Sequence, residues 1–357
     1  MANIFDYLND VAYDSFYDLP VNELDVLALT ELTYLAFDDV VAQEPKRLIE
    51  LAPQIPRDTT MLTSKNRLQL LDQLAQHKRF KNCKLSDFIN DIDPELQKQF
   101  AAMTYRISLD TYLLVFRGTD DSIIGWKEDF HMTYMTEIPA QKHALQYLED
   151  FFAQHPNQKV ILAGHSKGGN LAVYAASHLD FLLQKNIIAV YTFDAPGLHK
   201  ELTETPSYQN MMERTKVFIP QGSIIGMMLE IPDKKIVVRS TALGGIAQHD
   251  TFSWQVEDKH FVQLDETNSD SQQVDTTFKE WVETVPDEEL QLYFNLFFGI
   301  ILDAGISSIN DLSSFKVIEH IHHLFIQAQS LTPEERETMG RLTQLLIDTR
   351  YQAWKNR

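Results

Sequence analysis

The stretch KVILAGHSKGGNLAVYAA at residues 159–176 constrains the fold more than any other part of this sequence. An apolar β-branched run ends at Gly164, the pattern Gly164-x-Ser166-x-Gly168 follows, and a helical pattern rich in small residues begins at once. A strand and a helix joined by so tight a turn pass close to each other, so the residues two before and two after the serine must be small. The glycines meet that requirement. The pattern therefore predicts a strand, a strained turn that carries Ser166, and a helix, which together form a nucleophile elbow.

A glycine-rich turn between a strand and a helix has a second interpretation. The backbone N–H groups at the start of the helix can bind an anion without any chemistry at the serine. We favour the elbow because both the strand before Ser166 and the alanine-rich helix after it belong to that motif. Ser166 is therefore the candidate nucleophile.

Composition and charge exclude several classes of function. The chain has 357 residues, of which 51 are acidic and 31 basic, and its net charge is −20. So acidic a protein is not attracted to nucleic acid or to anionic lipid headgroups. The single cysteine, Cys83, excludes an intrachain disulfide and suits a reducing compartment. The start, MANIFDYLND, lacks the basic and apolar regions of a signal peptide, and no run of about 18 apolar residues follows, so we expect a cytoplasmic protein without stable membrane insertion.

Hydrophobic periodicity divides the chain into three regions. Residues 1–95 are predicted to be helical, with Asn22 as the cap of one helix. Residues 96–265 alternate apolar strands with helices, which indicates an α/β core with a mainly parallel sheet covered by helices on both faces. Residues 266–357 are predicted to be helical again after a polar, acidic boundary. The predicted strands of the core are 99–107, 111–118, 159–164, 187–193, 216–220 and 235–240.

A serine hydroxyl becomes a good nucleophile only when a histidine takes its proton and an acid orients that histidine. Asp194 is the best candidate acid because it follows the strand 187–193, whose end lies beside the elbow in a parallel sheet. It has a second interpretation as the cap of the DAPG turn. The end of the next strand reads PQGSIIG and offers Gln221 and Ser223 but no carboxylate, while Asp233 lies further on in a turn.

His249 is the best candidate for the base. It lies in GGIAQHDTFSW, after the last strand of the core and a pair of glycines that suits a loop. His178 and His199 come too early in the chain, and His260 is a possible substitute. We therefore predict that His249 deprotonates Ser166.

Two backbone N–H groups are candidates for the oxyanion hole. One belongs to Lys167, the residue after the nucleophile. The other belongs to Thr119 in VFRGTDD, where a strand ends in Arg-Gly and the threonine also offers its hydroxyl. The same segment can serve as a structural turn in which Arg117 bridges to a core carboxylate, and the two roles are compatible.

These motifs together resemble the class 3 lipase group of α/β-hydrolases. VFRGTDDSIIGWKEDF followed by GHSKGGNLA is similar to their strand ending in F-R-G-[ST], their lid with a tryptophan and their G-H-S-x-G-G elbow, over about residues 98–255. With FDAPG, PQGSIIGMML and QHDTFSW included, the chain looks like an uncharacterised bacterial family of predicted intracellular α/β-hydrolases. The resemblance implies an α/β-hydrolase fold.

The resemblance also implies roles for individual residues. Ser166 would be the nucleophile, Thr119 the oxyanion residue and His249 the base, and residues 123–130 with Trp126 would form a mobile lid. Two positions depart from the lipase pattern. The lipase acid follows the strand 216–220, where this chain has Ser223, so the acid shifts to Asp194. Lys167 replaces the usual leucine after the serine, and its charge near the oxyanion would favour an acidic or polar substrate.

Two further groups of residues have a functional interpretation beside the structural one. Met227 and Met228 are predicted core residues that can alternatively line an adaptable acyl pocket. In EHIHHLF, Glu319 and His323 share a helix face, as do His320 and His323, but no second ligand cluster accompanies them, so we predict no metal.

The sequence predicts an intracellular serine hydrolase that cleaves an ester or thioester through an acyl-enzyme. Its substrate would be a small acyl ester or lipid-like molecule, it would need no cofactor, and the terminal helical regions would form a cap. The alternative is a catalytically silent scaffold that binds a ligand or partner, which the missing carboxylate at Ser223 favours. A lipase that works on lipid surfaces is disfavoured by the net charge of −20.

Overall fold

One large sheet runs through the middle of the protein. The computed structural model describes residues 2–41, 44–59, 63–93, 95–120, 123–306 and 317–355. The strands are β1 Lys46–Arg47, β2 Lys84–Asp93, β3 Lys98–Arg106, β4 Thr111–Phe116, β5 Lys159–His165, β6 Ile187–Phe193, β7 Thr215–Pro220, β8 Ile236–Val238, β9 Val256–Glu257, β10 His260–Phe261 and β11 Gln263–Leu264. Within the described ranges, nine strands form this sheet in the order β1-β2-β3-β4-β5-β6-β7-β8-β11, and β10 pairs with β9 separately.

The centre of the sheet is parallel and its sides are antiparallel. Strands β4 to β8 pair in parallel with their neighbours. Strands β1, β2 and β3 add antiparallel pairs on one side, and β11 adds one on the other. Helices connect the parallel strands, so this is the α/β-hydrolase fold that the sequence predicts.

The helices are numbered in chain order. Their bounds are α1 Ile4–Asp10, α2 Glu23–Leu32, α3 Leu48–Leu51, α4 Ser64–Gln76, α5 Ile123–His131, α6 Pro139–Gln154, α7 Lys167–His178, α8 Phe181–Gln184, α9 Lys200–Thr203, α10 Pro206–Met212, α11 Gly245–Gln248, α12 Ser269–Thr284 and α13 Asp287–Asp303, followed by Val317–Ser330 and Pro333–Lys355. Asn22 caps α2 as predicted, since its side-chain oxygen accepts the backbone N–H groups of Leu24 at 3.0 Å and Asp25 at 3.1 Å.

Both faces of the sheet are buried, which explains why its strands are apolar without a break. Side chains of a strand alternate between the two faces. In β4, Leu113 and Val115 join the apolar cluster that contains α1, α2 and α4. Leu114 and Phe116 join the cluster of α6, α7 and α10 on the other face. A strand with two buried faces needs apolar residues at every position.

The N-terminal region differs from the prediction. Residues 1–95 include strands β1 and β2, and α1, α2 and α4 cover one face of the sheet. The sequence of β2, KLSDFINDID, carries too many polar residues to be recognised as a strand. Its pairing with β3 at the side of the sheet determines its conformation.

The C-terminal helices form a third apolar cluster with α5. Trp281 of α12 and Phe294 of α13 are buried there, and Leu342 of the last helix joins them. No helix in the described residues is long and apolar enough to cross a bilayer. The side chains of Glu319, His320 and His322 lie outside the described residues.

Candidate active site

Ser166 stands at the turn between β5 and α7. Its backbone is strained, with φ 56° and ψ −136°, and the residue is buried. A Cβ added at Gly164 would lie 2.0 Å from the carbonyl carbon of Gly168, and one at Gly168 would lie 2.0 Å from the backbone oxygen of Phe116. The strand, turn and helix predicted around the serine are therefore present, and only glycine fits beside it.

Asp194 and His249 come together from different elements. Asp194 follows β6, is fully buried, and its Oδ2 lies 2.7 Å from His249 Nδ1. Its other oxygen, Oδ1, accepts the backbone N–H of Gly226 at 3.1 Å and the hydroxyl of Ser223. Three donors therefore hold this carboxylate in one orientation. Ser223 stands where the lipase pattern has its acid and here acts as a donor to Asp194.

Ser166 and His249 line the same cavity, which has a volume of about 180 Å³. Within the described residues, no hydrogen bond joins the two side chains. Such bonds are often long in enzymes without substrate and tighten when substrate binds. The lining comprises Glu31, Tyr34, Thr63, Arg67, Thr119, Asp120, Trp126, His165, Ser166, Ile225, Ile246, His249, Asp250 and Thr251.

His165 and Tyr34 connect the histidine to the predicted oxyanion loop, and sequence reasoning missed both. The rings of His165 and His249 are 4.4 Å apart, and His165 Nε2 donates to the backbone oxygen of His249 at 3.0 Å. Burial holds the pKa of His165 well below its usual value, so the ring is neutral and Nδ1 accepts the Tyr34 hydroxyl at 3.2 Å. That hydroxyl in turn accepts the N–H of Gly118 at 3.1 Å.

Polar residues of the N-terminal region hold this network in place. Glu31 accepts Arg67 Nε at 3.0 Å and the hydroxyl of Thr251 at 2.9 Å. The guanidinium of Arg67 stacks over the ring of Tyr34 at 3.9 Å. The signal in the sequence is a glutamate on the buried face of α2, since a carboxylate there needs a partner.

Thr119 lines the same cavity as Ser166, in the segment that follows β4. Its hydroxyl donates to Asp129 Oδ2 at 2.6 Å. Burial raises the pKa of Asp129 to about 6, although Lys167 and the Thr119 hydroxyl act in the opposite direction. The backbone N–H of Lys167 opens α7, where the positive end of the helix dipole faces the cavity.

The side chain of Lys167 corrects the sequence interpretation of its charge. Its ammonium is fully buried and lies 2.7 Å from Glu128 Oε2, on α5. Burial lowers the pKa of Lys167, but Glu128 and Asp129 outweigh it, so the pKa is raised. The charge is neutralised inside the protein and does not face the cavity, so it gives no reason to expect an acidic substrate.

The model of the family described as Mbeg1-like matches residues 74–299. This protein belongs to the Mbeg1-like family. The match crosses both predicted boundaries of the core, near residues 95 and 265. No curated protein matches this sequence.

Several solved structures are similar to the Mbeg1-like chain. The lipase from Rhizopus microsporus var. chinensis is 14% identical, with 71% of this chain and 84% of that one covered and a TM-score of 0.39. A mutant form of MDLA from Penicillium cyclopium is 13% identical, with coverages of 69% and 87% and a TM-score of 0.42. The M37 lipase is 16% identical, with coverages of 58% and 70% and a TM-score of 0.38.

The two methionines do not line the cavity of this Mbeg1-like protein. Met227 is buried in a small apolar cluster with Val217 and Val237. Within the described residues, Ile225 is the part of this segment that reaches the Ser166 cavity, and Met228 does not line it. A short turn of 3₁₀ helix at Ile225–Met227 turns successive side chains in different directions, so Met227 faces the core.

Asp233 and His260, the alternative acid and base of the sequence analysis, lie away from the Ser166 cavity. His260 is exposed, and its Nδ1 lies 2.7 Å from Glu23 Oε1. Within the described residues, neither His260 nor Asp233 lines the Ser166 cavity.

Arg117 donates to the side-chain oxygen of Asn90 at 2.8 Å, whereas the sequence analysis predicts a carboxylate as its partner.

Proposed function

We propose that the protein is a serine hydrolase that cleaves a carboxylic ester or thioester through an acyl-enzyme on Ser166. One observation carries the proposal. His249 is held at 2.7 Å from the buried carboxylate of Asp194 and shares a cavity with a serine whose backbone is strained at positive φ. A serine, a histidine and an acid so arranged can perform nucleophilic catalysis.

In the proposed reaction, Oγ of Ser166 attacks the acyl carbon and its proton passes to His249 Nε2. Asp194 keeps the other ring nitrogen, Nδ1, protonated and stabilises the imidazolium. The backbone N–H groups of Thr119 and Lys167 stabilise the oxyanion. His249 then gives its proton to the departing alkoxide or thiolate. Water attacks the acyl-enzyme with His249 again as base, which releases the acid and restores Ser166.

Ser223 removes one argument for a catalytically silent scaffold. That alternative rested on the missing carboxylate after β7. The serine at that place donates its hydroxyl to Asp194 Oδ1 and so supports an acid supplied by the neighbouring strand.

The lone thiol of Cys83 is buried, and with the absence of an intrachain disulfide it supports our further proposal of a cytoplasmic location.

Hydrolysis of small activated esters tests the proposed function. We expect the purified protein to hydrolyse p-nitrophenyl acetate or an acetyl thioester with saturation kinetics. Ser166→Ala should abolish turnover without changing the circular dichroism spectrum or Tm. Turnover in Ser166→Ala comparable with the wild-type rate would contradict the proposal, as would the absence of turnover on every ester and thioester tried.

A further inference from the structure

Helix α5 carries one wall of the cavity, and a buried ion pair ties it to the nucleophile elbow. Lys167 directly follows Ser166, and its ammonium lies 2.7 Å from Glu128 Oε2. Both side chains are fully buried. The segment that the sequence predicts to be a mobile lid is thus attached to the residue next to the nucleophile.

Glu128 bonds to residues of three other elements, α7, β3 and α6. Its Oε2 also accepts the backbone N–H of Gln99 in β3 at 3.0 Å, and its Oε1 accepts that of Ala140 in α6 at 3.3 Å. The neighbouring Asp129 accepts the hydroxyl of Thr119 at 2.6 Å. The inner face of α5 is therefore bonded to a strand, two helices and the oxyanion segment.

The outer face of α5 is covered by the C-terminal helices. The ring of Phe130 lies 4.8 Å from that of Phe294 and 5.6 Å from that of Phe298, both on α13. Ile123 is buried in the same apolar cluster. Moving α5 outward would require the C-terminal helices to move as well.

An outward movement of α5 would also separate a buried charge from its partner. Lys167 lies within the first turn of α7 and cannot follow α5 without distorting the elbow. An ammonium left buried and unpaired is strongly unfavourable, because burial removes its hydration and nothing replaces it. The open state of a mobile lid is thereby made rare.

The cavity behind this wall is small. Its volume of about 180 Å³ is below the roughly 300–1,000 Å³ of common ligand pockets. Trp126 of α5 lines it together with Ser166. A longer acyl chain that extended towards α5 would meet Trp126.

We propose that the Lys167–Glu128 pair fixes α5 as a permanent wall of the site, so that the enzyme takes short acyl esters dissolved as single molecules. This inference rests on the proposed function for its substrate class. The fixed position of α5 rests on the ion pair, the hydrogen bonds and the packing described above, and not on the proposed function. This fixed wall takes the place of the mobile lid that the sequence predicts for residues 123–130.

Two measurements on the wild-type protein test the proposal. The hydrolysis rate of p-nitrophenyl butyrate should saturate below the solubility limit and show no rise above it, and kcat/KM should fall from butyrate to octanoate. Hydrogen exchange of the amides in 123–131 should be as slow as that of α7. A rise in rate when the ester forms droplets, together with fast exchange in α5, would overturn the proposal.

A double variant tests the ion pair itself. Lys167→Met with Glu128→Gln removes both charges at similar volume, and the glutamine oxygen can still accept a backbone N–H. We expect faster exchange in α5 and an increase of about tenfold in the octanoate-to-butyrate ratio of kcat/KM. The matched control is the exposed pair of Arg47 and Glu50, whose nitrogen and oxygen lie 2.5 Å apart. Arg47→Met with Glu50→Gln should change neither quantity.

The outcomes separate this inference from the proposed function. If a fluorophosphonate labels Ser166 and esters are hydrolysed, but α5 exchanges fast in the wild type, the fixed wall is wrong and the hydrolase remains. If Ser166 neither labels nor turns over, the substrate class falls with the proposed function, and exchange in α5 still decides whether the wall is fixed. Should the double variant fail to fold, the wild-type measurements decide alone.

Discussion

Replacing Asp194 with asparagine perturbs the proposed catalytic group at one atom. Asparagine keeps the size of aspartate but has one oxygen and one NH₂ group. In the structure, the backbone N–H of Gly226 and the hydroxyl of Ser223 both point at Oδ1. The backbone donor is fixed, so the oxygen of the asparagine stays there and its NH₂ group faces His249. His249 Nδ1 must then accept a hydrogen bond, and the ring proton moves to Nε2.

A histidine in that tautomer cannot take the proton of Ser166. In serine proteases the corresponding change lowers kcat by about 10⁴-fold, which is about 5.4 kcal/mol of barrier. We expect a loss of that order for Asp194→Asn, measured as kcat on p-nitrophenyl acetate, with little change in KM. Asp233→Asn is the control and should keep wild-type activity.

A second variant distinguishes the acid from its supporting hydrogen bonds. Ser223→Ala removes one donor to the carboxylate but leaves the carboxylate itself, so kcat should fall by no more than about tenfold. Circular dichroism and Tm establish that each variant is folded. A folded Asp194→Asn enzyme that keeps more than about a tenth of the wild-type kcat would refute the assignment of the acid.

Three further predictions concern stability and pH. Tyr34→Phe leaves the N–H of Gly118 without its acceptor, so the free energy of unfolding in urea should fall by about 1–3 kcal/mol and kcat should also fall. If both stay unchanged, the hydrogen bond between Tyr34 and Gly118 does not support the site. Gly164→Ala places a Cβ 2.0 Å from the backbone of Gly168 and should lower the free energy of unfolding by more than about 3 kcal/mol. Gly340→Ala has nothing within 4 Å of its Cβ and should be neutral or stabilise the protein by up to about 1 kcal/mol. Equal effects of the two variants would refute the argument that the turn at Ser166 requires glycine. Burial lowers the pKa of His131 to about 4, so stability is complete above the unfolded pKa and is lost as pH falls, by about 2 kcal/mol between about pH 7 and pH 5. His131→Asn should remove that share of the pH dependence of Tm, and an unaltered dependence would count against it.

The elbow was predictable because its chemistry is local. Gly164, Ser166 and Gly168 are neighbours in the chain, and the close approach of strand and helix requires that spacing. The placement of Asp194 and His249 follows from the alternation of parallel strands and helices, because the ends of such strands meet at one edge. The bond between these two side chains at 2.7 Å spans 55 residues but needs only that topology.

The surroundings of the site were not predictable in the same way. The contact between Tyr34 and His165 joins residues 131 positions apart and depends on which face of the sheet α2 covers. The partner of Lys167 is Glu128, 39 positions earlier, and no local pattern distinguishes a buried lysine from one that faces substrate. Polar side chains find partners through tertiary packing, which a single sequence does not specify.

A fluorophosphonate reacts only with an activated serine, so covalent labelling measures whether Ser166 is the nucleophile. We expect one adduct per chain, mapped by peptide mass spectrometry to Ser166. We expect no adduct in Ser166→Ala and greatly slowed labelling in His249→Ala. An unlabelled wild-type protein, or equal labelling of the wild type and Ser166→Ala, would show that Ser166 is not an activated nucleophile.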